Sequence, residues 1–443
     1  MLNRTSLSWS VFLALSGASF IIPAESQAAA FQLKEKSAKA QGRSFAGSIS
    51  TPGDASVIAD NPAAMRLLDG RLLQVDLTAV DYSIKFDGAG GDALGRPLSG
   101  GNGGDAGKLG VVPAAYFYTP VGERMHLGLS ITAPFGFSTE YDRNWIGRYH
   151  GVHTELQAVD LGASFSYDVN PYVSFGASVF IERAEAKIEN AIDFGAMLAG
   201  SGIPGFAPTS ADGYTKLDGS NTEWGFTIGG LFSPTDHTHI GIAYRSEVKH
   251  KIDDVDMQFD VPANVAPILA VARPGWFTDT RAATELRLPA TLTASISHSI
   301  NDRWTIMADV TRTAWGKFKD VRLDFESDQP DQVLEFGYRD STFLSLGTEY
   351  RLHYQWTLRA GVAYDESPVT TEVRDVRVPD VQRKWLSVGA TWQPTQAWEY
   401  SVGYTHLFLD DPGISLRSAT GSTLSGTYEY GTDILALAAL YRF

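Results

Sequence analysis

The feature of this sequence that most limits its fold is a strict alternation of short and long connections between segments of period-2 hydrophobicity. Six connections are short, at residues 119–124, 168–171, 233–238, 301–303, 351–355 and 393–397. Seven are long and rich in Gly, Asp and Ser, at residues 87–107, 140–153, 189–221, 260–280, 324–336, 365–382 and 409–425. Membrane β-barrels have short turns at one membrane face and long loops at the other. The alternation therefore predicts an all-β fold, a transmembrane barrel of fourteen antiparallel strands.

The predicted strands alternate between lipid-type residues and small or polar ones. In one of them, Leu386 and Val388 alternate with Ser387 and Gly389. Soluble sandwiches share this alternation, so the connections decide between the two fold classes. The last strand has apolar residues at every second position, at Leu435, Leu437, Ala439, Tyr441 and Phe443. A terminal aromatic residue, with Trp and Tyr near other strand ends, is typical of outer-membrane barrels.

Charge and composition exclude several other classes of protein. The formal charge of −15 argues against nucleic acid as a partner. The absence of Cys excludes disulfides, thiolate metal sites and thiol catalysis. The mean hydropathy is −0.11, and no internal run approaches the ~18 apolar residues of a helical membrane span. Barrel strands escape this test because only alternate residues face lipid.

Residues 1–28 have the features of a secretory signal peptide. Arg4 supplies the positive region, residues 9–22 the apolar core, and residues 26–28 (SQA) a small-residue cleavage signal. The alternative is an N-terminal anchor helix, for which the core is short. We expect the rest of the chain to have two parts, an N-terminal segment of residues 29–69 and a barrel of residues 70–443.

The segment that precedes the strands has no sustained period. Residues 31–65 are rich in small and polar residues and are interrupted by Gly42, Gly47, Pro52, Gly53 and Pro62. An irregular segment is tolerated at membrane depth only where protein or water surrounds it. We therefore predict that it lies inside the barrel as a plug. The small and apolar residues predicted to face inward suit a packed plug and an oily solute better than a water-filled pore.

Several stretches carry a family resemblance that spans the chain beyond residue 28. They are residues 29–33 (AAFQL), Gly42-Arg43, Asn61-Pro62-Ala63, 244–249 (YRSEVK), 365–369 (DESPV) and 383–387 (RKWLS). In order and spacing they resemble the FadL family of outer-membrane long-chain fatty-acid transporters. The resemblance implies passive uptake of hydrophobic compounds across the outer membrane of a Gram-negative bacterium, with the N-terminal segment acting as a hatch.

The third predicted strand contains a wall-breaking sequence, Ala133-Pro134-Phe135-Gly136. Pro cannot donate to the β-ladder and Gly favours a bulge, so a local break is expected here. The resemblance implies that this strand bends inward and opens a lateral gate to the membrane. An ordinary bulge at the barrel rim is the alternative.

Two predicted external loops carry apolar residues that water should not contact. One loop contains Ile192, Phe194, Met197 and Leu198, and the other contains Val265, Ile268, Leu269, Trp276 and Phe277. Exposed apolar patches mark binding sites or interfaces, so we expect the loops to form a ligand-capturing cleft over the barrel mouth. A rigid cap in which the loops pack on each other is the alternative.

Two further residues are candidates for ligand binding. By resemblance, Arg339 matches a basic residue that holds the ligand carboxylate, while the second basic partner falls at the uncharged Asn190. The alternatives for Arg339 are an ion pair with Asp340 or a lipopolysaccharide contact. Phe31 is expected to line the pocket. The hatch residues Asn61, Pro62 and Ala63 have a simple turn as their alternative.

The remaining signals indicate no catalytic or metal site. His150 and His153 lack an evident third ligand, and no triad is marked. We expect no enzyme activity and no cofactor, and a monomer surrounded by outer-membrane lipid and lipopolysaccharide. The sequence leaves open aromatic hydrocarbons or other lipids as the cargo, and a general diffusion porin as another class of function.

Overall fold

The computed structural model describes residues 30–443, so the predicted signal peptide lies outside the described residues. The strands are β1 Leu72–Gly91, β2 Leu109–Val121, β3 Met125–Glu140, β4 His153–Asn170, β5 Val173–Asp193, β6 Asp212–Thr235, β7 Thr238–Arg245, β8 Val248–Asp260, β9 Thr280–Leu288, β10 Thr291–Asn301, β11 Trp304–Thr313, β12 Asp320–Phe325, β13 Gln332–Glu335, β14 Ser341–His353, β15 Trp356–Asp365, β16 Arg383–Trp392, β17 Trp398–Leu409, β18 Gly413–Arg417 and β19 Thr423–Arg442. The helices are α1 Ala38–Gln41, α2 Val57–Asp60, α3 Phe194–Gly200 and α4 Ala266–Ala272, with 3-10 turns at Pro62–Leu67 and Trp315–Lys317. Among the described helices, none has the length and apolar character needed to cross a membrane.

Fourteen strands close into one antiparallel barrel, as predicted. They are β1 to β7, β10, β11, β14 to β17 and β19, each hydrogen-bonded to its neighbour along the chain. The barrel closes where β1 pairs with β19, from Leu72 opposite Arg442 to Gly91 opposite Thr423. The other strands (β8, β9, β12, β13 and β18) extend the wall or the loops at the long-loop end.

The wall has the predicted two faces. On β19, Leu435 and Leu437 are 47% and 51% exposed, whereas Ile434 and Ala436 are fully buried. This is the period-2 pattern of a strand with lipid on one side and protein on the other. Aromatic residues pair at the short-turn end, for example Trp356 with Trp392, as an interfacial girdle requires.

Residues 30–68, which we call the plug, occupy the barrel lumen. They are almost entirely buried and contact the inner faces of opposite walls. Gly42 packs on Gly389 of β16, and Ala63 packs on Gly176 of β5. Because β5 and β16 lie seven strands apart in either direction around the barrel, the plug crosses the full width of the lumen.

Inward-facing glycines make room for this packing. A Cβ on Gly361 would lie 2.2 Å from the carbonyl carbon of Arg43, and one on Gly176 would lie 2.4 Å from the amide nitrogen of Ala63. Such distances are shorter than any van der Waals contact. The small residues on the inner face are therefore a steric requirement of the plug.

Buried ion pairs and hydrogen bonds join the plug to the wall. Arg43 pairs with Glu349 at 2.6 Å, and Glu349 also accepts from Arg359 at 2.7 Å. Asp309 accepts hydrogen bonds of 2.5 to 3.0 Å from the main chain and side chain of the plug at Gly47 and Ser48. Buried charges need such partners, so these contacts determine the position of the plug.

Candidate ligand cavity and wall opening

The barrel wall is broken where β3 passes the sequence Ala133-Pro134-Phe135-Gly136. β2 pairs with β3 only as far as Ala115 opposite Ile131, and the ladder to β4 shifts register between Thr132 and Phe135. Every residue from 132 to 139 is buried, so the strand turns toward the lumen here. The local break expected at Pro134 and Gly136 is thus present, and β2 and β3 separate above it.

The first residues of the plug seal this break. The amide of Leu33 donates to the Pro134 carbonyl at 2.8 Å, and the amide of Gly136 donates to the Phe31 carbonyl at 2.9 Å. Between these bonds, Gln32 pairs with Phe135 as an isolated antiparallel bridge. The Leu33 side chain packs between Val112 of β2 and Ala133 of β3, so it bridges the separated strands. We call residues 30–36 the N-terminal arm.

An apolar cavity adjoins the arm at Phe31. Its lining is formed mainly by Phe31, Phe137, Leu156, Ala186, Ile188, Leu217, Gly219, Ile252, Val255, Leu286, Phe318, Val321, Leu323, Leu334, Phe336 and Val378. At the end near the arm, the Phe31 ring packs edge-on against Trp315 and Phe318, at centroid distances of 4.6 and 5.4 Å. The structure thus places the Phe31 ring in the lining of an apolar cavity, and its contact with a ligand stays a prediction.

Arg339 lies outside this cavity. Its guanidinium is about half exposed and pairs with Glu366 at 3.3 Å, while Asp340 pairs with Arg312 at 3.6 Å. Its neighbour Tyr338 is buried in the aromatic cluster around Trp315. Of these two candidate residues, Phe31 therefore lines the described cavity and Arg339 does not. Asn190 lies on β5, and its amide donates to the Ala191 carbonyl.

The nine apolar loop residues pack on one another. Ile192, Phe194, Met197, Leu198, Val265, Ile268, Leu269 and Phe277 form one cluster between helices α3 and α4, and Trp276 contacts Phe277. The rings of Phe194 and Phe277 meet edge-on at 5.0 Å. None of the nine lines the apolar cavity. In this state of the molecule, the two loops form the packed cap that was the alternative interpretation.

The hatch residues do more than form a turn. The side-chain amide of Asn61 donates to the Ile49 carbonyl at 3.0 Å and to the Gly230 carbonyl of β6 at 3.3 Å. Its side-chain oxygen accepts from the Ala63 amide and so caps the 3-10 turn that Pro62 begins. Asn61 therefore ties the plug to itself and to the wall.

Sequence reasoning missed much of the cavity lining. Ile252, Val255, Leu286 and Leu323 come from β8, β9 and β12, which the predicted connections place within the seventh, eighth and ninth strands and not as separate strands. The period-2 apolar pattern of these segments was the signal that could have identified them as part of the lining. Thr154 of β4 and Arg377 of the loop after β15 also line the cavity and were missed. No group of three or more His, Asp or Glu residues suited to a metal ion occurs within residues 30–443.

Comparison with known proteins places these features in a family. The family model described as outer membrane protein transport protein (OMPP1/FadL/TodX) matches residues 19–443. The long-chain fatty acid transport protein of Escherichia coli O6:H1 is 29% identical over 414 residues, which cover 89% of this chain and 90% of that protein.

Solved structures agree with this assignment. The crystal structure of a Pseudomonas aeruginosa FadL homologue has a TM-score of 0.87 and 28% identity, covering 93% of this chain and 99% of its own. The P. putida toluene transporter TodX, at 18% identity and a TM-score of 0.65, shares the fold; the match covers 91% of this chain and 97% of that one. This chain therefore belongs to the OMPP1/FadL/TodX family of outer-membrane transport proteins.

Proposed function

We propose that this protein carries hydrophobic compounds, long-chain fatty acids foremost, passively across the outer membrane. One observation supports this most directly. The Phe31 side chain lines the apolar cavity, while the arm that carries it seals the wall break at Pro134. A ligand that enters the cavity thus contacts the segment that closes the lateral gate. The relatives named as long-chain fatty acid transport proteins favour the same cargo.

The proposed route follows from the physics of oily solutes in water. Each buried CH₂ contributes ~0.8 kcal/mol, so an acyl chain partitions into any open apolar surface. Opening of the loop cap would expose the cluster around Phe194 and Leu269 for capture, and the cavity would then bind the chain. Withdrawal of the arm would open the gate at Ala133–Gly136, and exit into the membrane would keep the tail out of water.

The division of the chain follows this route. Residues 1–28 are proposed as the signal peptide, 29–69 as the hatch and 70–443 as the barrel. The polar ties that hold the rest of the plug, such as Arg43 to Glu349, suggest that the arm moves while residues 37–68 stay in place. We propose a monomer whose outer face contacts lipid and lipopolysaccharide, with no cofactor.

Aromatic hydrocarbons are the second candidate cargo. The aromatic rings of Phe31, Trp315, Phe318 and Phe336 cluster at the arm end of the cavity, and flat rings pack well against such groups. A general diffusion porin is disfavoured because the plug packs against both walls of the lumen. Native mass spectrometry of the purified protein would identify co-purified lipid and separate the two cargoes.

The test is uptake of labelled palmitate by cells that lack other fatty-acid transporters. We expect uptake to continue when a protonophore collapses the proton-motive force. Replacing Pro134 and Gly136 by Val should straighten β3 and reduce uptake strongly, whereas Leu127→Val and Leu129→Val on the paired part of β3 should have little effect. Normal uptake in the Pro134/Gly136 variant would refute lateral exit, and no uptake by the wild type would refute the function.

A further inference from the structure

We propose that Ala186 and Gly219 join two chemically different ends of the apolar cavity, and that this junction makes the protein selective for long acyl chains over short chains and monoaromatics. The inference rests on the proposed function and names the property of the cargo that the cavity selects, which is its length. It is supported by the composition of the two ends, by the position of the two small residues between them, and by the space in front of these residues.

The two ends of the cavity belong to two separate clusters of packed side chains. Among residues 30–443, the aromatic side chains that line the cavity all belong to the cluster around Trp315, and they form its aromatic end: Phe31, Phe137, Phe318 and Phe336. Members of a second cluster line the other end, which we call the aliphatic end: Ile188, Leu217, Ile252, Val255 and Leu323. A ligand that is long enough can therefore contact both clusters.

The two smallest of the described lining residues lie between these ends. Ala186 of β5 and Gly219 of β6 are directly opposite each other in the antiparallel ladder. Ala186 packs with the aromatic-end cluster, and Ile188, two residues further along the same face of β5, packs with the aliphatic-end cluster. The strand thus passes from one cluster to the other at this pair, so the bulk of the two side chains determines whether the ends are connected.

The plug does not account for the small size of Gly219. A Cβ on Gly361 would overlap the backbone of the plug, whereas the three nearest atoms to a Cβ on Gly219 are methyl carbons of Val255 and Ile252, at 3.1 to 3.5 Å. Ala186 points into the cavity and yet is only partly buried. The space in front of the pair therefore belongs to the cavity and is available to a ligand.

This arrangement favours long chains. An acyl chain that passes the pair buries methylenes at both ends of the cavity, and each further buried CH₂ strengthens binding ~fourfold. A single aromatic ring packs well against the phenylalanines of the aromatic end, but it is too short to gain contacts at the aliphatic end as well. An apolar pocket distinguishes ligands mainly by the methylenes that it can bury, so the connection between the ends sets the preference.

The experiment measures the binding of tritiated octanoate, palmitate and toluene to the purified full-length protein in a scintillation-proximity assay at pH 8. In Ala186→Leu the new side chain should separate the two ends. We expect palmitate binding to weaken at least tenfold, whereas octanoate and toluene binding should change less than twofold. The matched control is Ala308→Leu, on the lipid-facing side of β11 between the exposed Ile306 and Val310, which should change none of the three.

A second variant tests the same idea with the opposite sign. Leu217 lines the aliphatic end and is 7% exposed, so Leu217→Ala should lengthen the cavity. We expect the ratio of eicosanoate affinity to palmitate affinity to rise at least threefold over the wild type. Heat-dependent migration on SDS gels shows whether each variant retains its folded barrel, and Leu217→Ala decides if Ala186→Leu does not fold.

The outcomes separate this inference from the proposed function. Unchanged palmitate binding in Ala186→Leu, or equal weakening of all three ligands, would overturn the role of the junction while palmitate binding by the wild type still supports fatty-acid transport. An unchanged affinity ratio in Leu217→Ala would also overturn it. A wild-type protein that binds neither palmitate nor toluene would overturn both proposals.

Discussion

The amide of Leu33 donates a 2.8 Å hydrogen bond to the carbonyl of Pro134, the residue at which β3 leaves the regular wall. Proline lacks an N–H and interrupts a ladder, but its carbonyl can still accept a hydrogen bond. The arm therefore continues, from inside the barrel, the pairing that β2 no longer provides. Ligand cavity, arm and wall break form one connected structure.

A disulfide between the arm and the wall should block transport. Gln32 and Phe135 form an antiparallel bridge, a spacing that a disulfide can span, and the chain has no native Cys. We expect Gln32→Cys combined with Phe135→Cys to lose most palmitate uptake on oxidation and to regain it on reduction. The matched control is Val75→Cys with Ala439→Cys, a pair within the wall. Full uptake in the oxidised Gln32/Phe135 variant would show that the arm does not move.

Removing the charge of Asp309 should loosen the plug. Its carboxylate accepts from Gly47, Ser48 and Ser295, and an amide of the same shape would present N–H groups to some of these donors. Each unsatisfied buried group costs ~1–3 kcal/mol. We expect Asp309→Asn to raise ion conductance in planar bilayers, whereas Asp302→Asn, in an exposed turn, should leave it at the wild-type level. A closed trace for Asp309→Asn would contradict this prediction.

A single methyl group on the inner wall should displace the plug. The Cβ of Gly361→Ala would overlap the backbone of Arg43, and backbone cannot move aside as a flexible side chain can. Overpacking of this kind costs ~1–3 kcal/mol. We expect increased protease cleavage within residues 30–68 and a lower temperature for the heat-dependent shift on SDS gels. In Gly230→Ala the nearest atom to the new Cβ is 3.6 Å away, so this variant should behave as the wild type.

Acid should destabilise the loop between β3 and β4 through His150. Burial is the main cause that lowers the pKa of this imidazole to about 4; nearby Asp375 partly offsets it and Arg377 adds to it. The folded pKa lies below the unfolded value of ~6.5, so the unfolded state binds the proton more tightly. The free energy of unfolding is therefore highest above pH 6.5 and falls by ~3 kcal/mol in all as the pH drops toward 4.

The measurement is hydrogen exchange of residues 141–152, corrected for intrinsic rates, at pH 7 and pH 5. Protection should fall at pH 5 in the wild type. In His150→Gln the protection should not depend on pH over this range, since no ionisable group replaces the imidazole. Equal protection at both pH values in the wild type would contradict the buried, neutral imidazole.

The local pattern of the sequence was sufficient to predict the barrel. The alternation at Leu386 and Leu435 and the order of short and long connections predicted fourteen strands, because a strand's two faces are determined by residues two apart. Pro134 likewise marked the wall break, because a residue without an N–H interrupts the β-ladder at its own position. The irregular composition of residues 31–65 indicated the plug, since such a segment cannot face lipid.

Only the tertiary structure decided which side chains meet in the lumen. Arg377 is 346 residues from Phe31 along the chain, yet both line one cavity, whereas the expected Arg339 turns away to Glu366. The apolar residues of the two external loops likewise pack on one another although they are distant in the sequence. Period and composition determine which face a residue takes, but contacts between distant segments depend on how the strands close and how the loops fold over them, which no local pattern encodes.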